Sequence, residues 1–449
     1  MPDIAPRHGA ARLAALAALL LCATAAPALA VPSFAEQTGQ PCSACHVGGF
    51  GPQLTPLGRT FKLDGYTMRA GAAFSNPVSA MAVAAYLHTA ADQPAPPAPG
   101  TNTNDNVTLD QASLFLAGGY GDHVGGFSQF TYDGVGRAFA WDNLDLRLVD
   151  QTTIDDTDLV LGLGLNNAPG VQDPWNTLPA WGYPYTGSGI APAPAAGTIL
   201  DGALAQGVLG ASAYAFWNDS LYAEAALYWT PSSGFLRTVG GDQGAGEIDG
   251  AAPYLRLAYE MDYDEQNFEI GAFAFLPDIY PGGDHTAGTT DSYTDIGLDG
   301  SYQFTGDPDN FYSVNARYTH EEQNLAASRI LGSAAHAGNA LDDLRLDASY
   351  YWHDTFGGTI GVFDTTGSRD ALLYPGSASF QPDSSGFTFQ LDGTLFGRDM
   401  SNFDGLLNLR AGIQYTLYTR FDGGTSNYDG LGGHASDNNA VRVFTWAAL

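Results

Sequence analysis

Cysteine, cationic charge and long apolar runs are all scarce in this 449-residue chain. Three cysteines are too few for the disulfide framework of a small secreted scaffold. Lys and Arg number 17 against 48 Asp and Glu, and the resulting net charge of −31 excludes non-specific nucleic-acid binding. The same excess suits cationic partners, either basic proteins or metal ions, with plain loop solvation as the alternative. After residue 30 there is no apolar run long enough for a membrane-spanning helix. No G-x-S-x-G, H-E-x-x-H or phosphate-binding loop occurs, so nothing points to a hydrolase.

What is abundant favours β structure: 56 Gly, 24 Phe and 23 Tyr. The chain opens with Arg7 and Arg12, an apolar run from Leu13 to Ala26, and Ala28-Leu29-Ala30. This is the pattern of a secretory signal peptide over 1–30, with Val31 as the expected mature start. A lipoprotein reading through Cys22 fits poorly, because bulky Leu21 stands where a small residue belongs. Cys42 and Cys45 are then the only mature cysteines.

Those two sit in Cys42-Ser43-Ala44-Cys45-His46, the attachment sequence for c-type haem. Thiols three positions apart can each form a thioether to one porphyrin, and the adjacent His46 supplies an axial nitrogen to the iron. A disulfide, a redox pair or half a zinc site are the alternatives. No second Cys or His pair at zinc spacing and no βαβ pattern accompanies the motif.

The motif belongs to a unit over 31–75. Thr55-Pro56 reads as a helix start, with Gly65 as its stop. Phe34, Leu54, Leu57, Phe61, Leu63 and Tyr66 are apolar residues able to wrap a porphyrin. Arg59 and Lys62 are candidates to pair with haem propionates, unless they are simply solvated. For the sixth iron ligand Met68 is the nearest sulfur and the expected choice. Met81 and His88 lie further along, and an open site is the remaining alternative. So small a unit cannot build much core, and it is expected to dock onto, or inside, the rest of the chain.

From about residue 76 to 449, strands alternate apolar and polar faces. Leu409, Ala411, Ile413 and Tyr415 oppose Asn408, Arg410 and Gln414. Leu344, Leu346, Ala348, Tyr350 and Trp352 oppose Arg345, Asp347, Ser349 and His353. Short turns such as Trp217–Ser220 and Asp262–Glu265 alternate with long Gly/Pro/Asp-rich loops near 168–205, 232–250 and 421–438. That rhythm predicts an all-β fold: a transmembrane antiparallel β-barrel of about 16 strands, both ends periplasmic, in a bacterial outer membrane. Pro94 to Gly100 reads as its first outer loop. A soluble β-sandwich, propeller or β-helix is the alternative. Trp141, Trp217, Tyr228, Trp229, Tyr350, Tyr351, Trp352, Tyr415 and Tyr418 are expected to form interfacial girdles. His320 and His353 are candidates to line the lumen. Acidic turns at 155–158, 262–265, 307–309 and 342–343, and loop histidines His285, His336 and His434, are candidate cation sites.

Pro32-Ser33-Phe34-Ala35, Gln37-Thr38-Gly39, the haem motif, Leu54-Thr55-Pro56, Gly58-Arg59 and Phe61-Lys62-Leu63-x-Gly65-Tyr66 together resemble the fused outer-membrane monohaem cytochrome–porins of iron-oxidising type. The motif-level likeness covers about 35 residues; over the barrel it is architectural. The resemblance implies one covalent haem c at or inside a porin of about sixteen strands. It implies electrons passing from an extracellular donor such as Fe(II) to a periplasmic c-type cytochrome or other carrier. A diffusion porin with a haem-bearing plug or gate is the alternative, and a haem enzyme such as a peroxidase would need an open sixth position.

Overall fold

The computed structural model describes residues 32–71, 76–241, 243–307, 309–400 and 407–449. The expected signal peptide lies outside the described residues, as do 72–75 ahead of the first strand.

Eighteen strands form one sheet: β1 Val78–Thr89, β2 Asn106–Tyr120, β3 Val124–Asp133, β4 Ala138–Ile154, β5 Thr157–Asn166, β6 Leu209–Trp217, β7 Leu221–Trp229, β8 Gly246–Ile248, β9 Ala252–Tyr263, β10 Gln266–Phe275, β11 Asp278–Pro281, β12 Asp291–Asp307, β13 Asn310–Asn324, β14 Gly338–Trp352, β15 Phe356–Gly367, β16 Ser384–Thr394, β17 Asn408–Arg420 and β18 Ala440–Ala448. The short β8 and β11 pair with each other beside the ring. The other sixteen close a barrel, in which β1 bonds antiparallel to both β2 and β18 and no edge is left open.

The alternation in the sequence explains why these strands form a membrane wall. Along β14, Leu344, Leu346, Tyr350 and Trp352 are exposed, while Asp343, Asp347, Ser349 and Tyr351 are buried. Along β9, Leu255 and Leu257 are exposed, while Arg256 and Glu260 are buried. Carboxylates and guanidiniums inside with leucines outside reverse the order of a water-soluble core. This is the arrangement of an outer-membrane barrel, whose apolar band meets lipid. The soluble β alternative is thereby excluded.

Short connections (121–123, 155–156, 218–220, 264–265, 353–355) gather at one end, and long ones (90–105, 167–208, 325–337, 421–439) at the other. The link at 134–137 is short although it belongs to the long-loop end. Both barrel termini lie at the short-turn end, where Ala80 and Leu449 exchange backbone hydrogen bonds of 2.6 and 2.8 Å. Tyr120, Trp217, Tyr263, Tyr312, Tyr350 and Trp352 face outward there as a girdle. Four residues expected in interfacial girdles are buried instead. Tyr228, Tyr351 and Tyr418 face inward, because their parity along the strand is that of the lumen, whereas Trp141 shares the outward parity of its ladder partner Phe130 and is covered by Phe235, its Nε1 donating to the Gln206 carbonyl at 2.9 Å. Parity also takes His320 off the lumen: it lies between inward Thr319 and Glu321 and bonds outward Asp342 at 2.8 Å.

The unit at 32–71 lies inside the barrel. Its helices are α1 Pro32–Thr38, α2 Cys42–Cys45 and α3 Pro56–Leu63. Contacts reach walls on every side. Gln37 accepts from the Gly119 amide at 2.7 Å, and Tyr66 donates to Asp145 at 2.7 Å. Gln53 donates to Ser313 at 2.6 Å, and the Asn408 side-chain amide donates to the Gly49 carbonyl at 2.8 Å. The Ser43 amide donates to the Gly397 carbonyl at 2.9 Å, which puts the motif toward the short-turn end. From the opposite end, the connection 167–208 folds down into the lumen and meets the unit at Lys62.

Candidate haem site

One helical turn sets the motif. Residues three apart share a helix face, so α2 turns Cys42 and Cys45 the same way. The chain then leaves the helix at His46 in an extended conformation and pairs with Leu54 as an isolated antiparallel bridge. Thr55 caps α3 by accepting from the Gly58 amide at 3.2 Å, with Pro56 at the first helical position. Gly65, at φ +64°, takes the left-handed position just past the helix. The helix start and stop expected from the sequence are both present.

Both thiols and the imidazole line one cavity of about 520 Å³, within the size range of cofactor sites. Its lining is mainly apolar. On one side Phe34 stacks on Tyr66 at 5.3 Å, Phe61 meets both edge-on, and Phe127 and Trp181 continue the cluster. On another, Phe50 and Trp446 meet edge to face at 4.6 Å, with Met81 and Val83 of β1 beside them.

Burial keeps the two thiols and the imidazole uncharged. Burial pushes the Cys42 thiol up, against a hydrogen bond from Asn408, and burial together with Cys42 pushes Cys45 up to about 11. Burial holds the His46 imidazole down to about 4, opposed by the Gly51 backbone and aided by Arg410. It is therefore neutral, the form that ligates a metal. Two residues lining the cavity carry a buried polar atom without a partner: His46 Nδ1 and Trp446 Nε1. Native interiors rarely tolerate such atoms, and a polar-edged cofactor would satisfy them. The residues present fit a haem.

Not every expected site residue is here. Lys62 lines the cavity, but its ammonium donates to the Val171 and Asp173 carbonyls and to Asn176 Oδ1, each at 2.7 Å. Arg59 turns to the wall instead, bonding Asn267 and Ser301 and pairing with Glu260 at 3.5 Å. Met68 is absent from the lining; its carbonyl is held by the Gln37 side chain at 2.8 Å. His88 faces outward and is held by Asp105 at 2.8 Å. The lining includes Asn176, Trp181 and Tyr185 from the inward connection, and Met81, Gln129 and Trp446 from the wall. Sequence reasoning missed all but Met81 as site residues, and no local signal marks them. Among the described residues, no three His, Cys, Asp or Glu side chains converge as a metal site.

No protein-family model matches the chain, and no curated protein is similar to it. Solved structures similar to it are outer-membrane barrels. An anion-selective porin from Comamonas acidovorans has 13% identity and a TM-score of 0.44, covering 83% of this chain and 99% of its own. OmpT of Vibrio cholerae has 10% identity and a TM-score of 0.43, covering 83% and 98%. The outer-membrane channel DcaP of Acinetobacter baumannii has 11% and 0.42, covering 83% and 96%. The barrel assignment rests on this chain's own closed ladder.

Proposed function

We propose that this protein is an outer-membrane electron-transfer cytochrome–porin. Cys42 and Cys45 would hold one haem c through thioethers, and His46 would ligate its iron. Bound haem supplies a one-electron iron couple. Phe34, Phe61, Tyr66 and Trp181 exclude water around it, and the buried imidazole of His46 stays unprotonated and free to ligate. The donor is extracellular Fe(II) or another reductant, and the acceptor is a periplasmic c-type cytochrome or other carrier. The barrel answers a physical need, since about 30 Å of hydrocarbon separates the two. The observation that carries this reading is the shared cavity of Cys42, Cys45 and His46 inside the lumen.

A haem-stained gel and a pyridine haemochrome spectrum on the outer-membrane fraction test it. One covalent haem at the mass of the chain is expected, and its loss in Cys42→Ala/Cys45→Ala. Purified protein should then show haem reduction on adding Fe(II). A haem-free band overturns the reading.

One observation favours a second reading, a diffusion porin with 32–71 as plug or gate: sixteen strands enclose enough space for an aqueous channel. Single-channel conductance separates the two. Free ion flow through a protein whose haem is redox-inert selects the porin.

A further inference from the structure

We propose that Met81 is the distal iron ligand of this site, an inference that rests on the haem reading above and deepens it. The cavity that holds Cys42, Cys45 and His46 offers few side chains able to bind iron. Lys62 is committed to three acceptors at 2.7 Å. Tyr66 donates to Asp145 at 2.7 Å. Asp142 already accepts from Gln129, Thr131 and Gln206 at 2.8–3.0 Å. Tyr185 sits beside Asp347, and a phenol must lose its proton to ligate. Burial and the nearby Asp347 push that ionisation far above its ordinary range. Among the described residues, no imidazole other than His46 lines the cavity.

Met81 has none of these obstacles. A thioether ligates without losing a proton and is at home in an apolar lining. Strand parity puts its side chain on the inward face, in step with buried Val83 and Ala85. It packs against the Phe50–Trp446 cluster, which limits its rotamers. Two neighbours in the ladder fix its height: Ala448 of β18 on one side and Ser113 of β2 on the other. Met68, nearer in sequence, lies off the cavity.

The test uses the full-length protein purified from outer membranes, with Met81→Leu as the main variant because it keeps volume and removes sulfur. Covalent haem is counted first, then the resting absorption and EPR spectra and the midpoint potential are recorded. Wild type should be low-spin. Met81→Leu should keep its haem, turn high-spin and bind added imidazole or cyanide at once. Met81→His should restore a low-spin spectrum at a lower potential, since methionine ligation raises the potential relative to bis-histidine. Met68→Leu should match wild type. Wild-type protein carrying haem in a high-spin state, or Met81→Leu keeping the wild-type spectrum and potential, overturns the proposal alone. Wild-type protein without covalent haem overturns the haem reading with it.

Discussion

Gly58 of α3 lies directly against the backbone carbonyl of Cys45, so close that any Cβ at position 58 would collide with that oxygen. The contact joins the two halves of the unit. Around it, the Thr55 amide donates to the same Cys45 carbonyl at 3.0 Å, and the Thr55 hydroxyl donates to the Ala44 carbonyl at 2.6 Å. A helix cap thus doubles as the clamp that sets the motif's orientation toward the cavity.

Gly58→Ala should therefore push α3 off α2. Overpacking of this kind costs about 1–3 kcal/mol. The expected outcome is a several-fold loss of covalent haem per chain and faster trypsin cleavage after Arg59 and Lys62, which are buried in the native protein. Wild-type haem content and protection in this variant would show that the contact does not orient the motif.

Arg59 is the bolt between the unit and the wall. Removing it takes the cation from buried Glu260, which keeps only its neutral donors Trp175 and Asn267. Breaking one side of a buried pair costs about 3–5 kcal/mol. Arg59→Ala should release the unit from β10 and β12, raising single-channel conductance. An Arg59→Ala/Glu260→Gln double variant should recover part of the loss. No change in conductance or in protection at Lys62 would mean that the other contacts hold the unit without it.

Arg256 plays the same part for the inward connection. Its guanidinium meets Asp173 of that connection at 2.9 Å, Asp299 of β12 twice at 2.9 Å, and Glu269 of β10 at 3.4 Å. Asp173 also accepts from the Thr177 amide at 2.9 Å, so its orientation shapes the turn that leads to Trp181. Arg256→Ala leaves three buried carboxylates uncompensated. A loss of about 3–5 kcal/mol is expected in urea unfolding, partly recovered in an Asp173→Asn/Asp299→Asn background. Additive effects of the three changes would show that the network is not coupled.

The outward face makes a depth-dependent prediction. Leu257 sits mid-strand in β9 at 54% exposure, and Leu221 sits beside a short turn. Arg at the midplane of a lipid-facing wall costs about 2–4 kcal/mol, and near the interface about 0–1. Folding equilibria in phospholipid vesicles should rank Leu257→Arg well below Leu221→Arg. Equal effects would place the bilayer elsewhere on the barrel.

Much of the fold is legible in the chain because its signals are local. A two-residue period, short turns and Gly/Pro-rich loops count sixteen strands without any knowledge of partners. Thr55, Pro56 and Gly65 mark a helix because capping is settled within one turn. The aromatic girdle is harder. Tyr350 and Tyr351 are equally aromatic and adjacent, yet one meets lipid and the other lies beneath Gly48 in the lumen. Only parity relative to a closed wall separates them.

Spacing along the chain already puts Cys42, Cys45 and His46 together, since a single helical turn joins them. The same reasoning favours Met68 over Met81 by counting residues from His46. Closure of the barrel places the two differently: β18 and β2 flank β1 and carry Met81 into the cavity, while Met68 is held outside it by Gln37. Arg59 and Lys62 fail similarly as free cations, their partners lying 109 to 242 residues away along the chain. Pattern, caps and the attachment motif are properties of neighbouring residues, and the chain alone carries them. Which side chains share the cavity depends on ladder register and on the inward fold of 167–208, and those exist only once sixteen strands have closed around the segment.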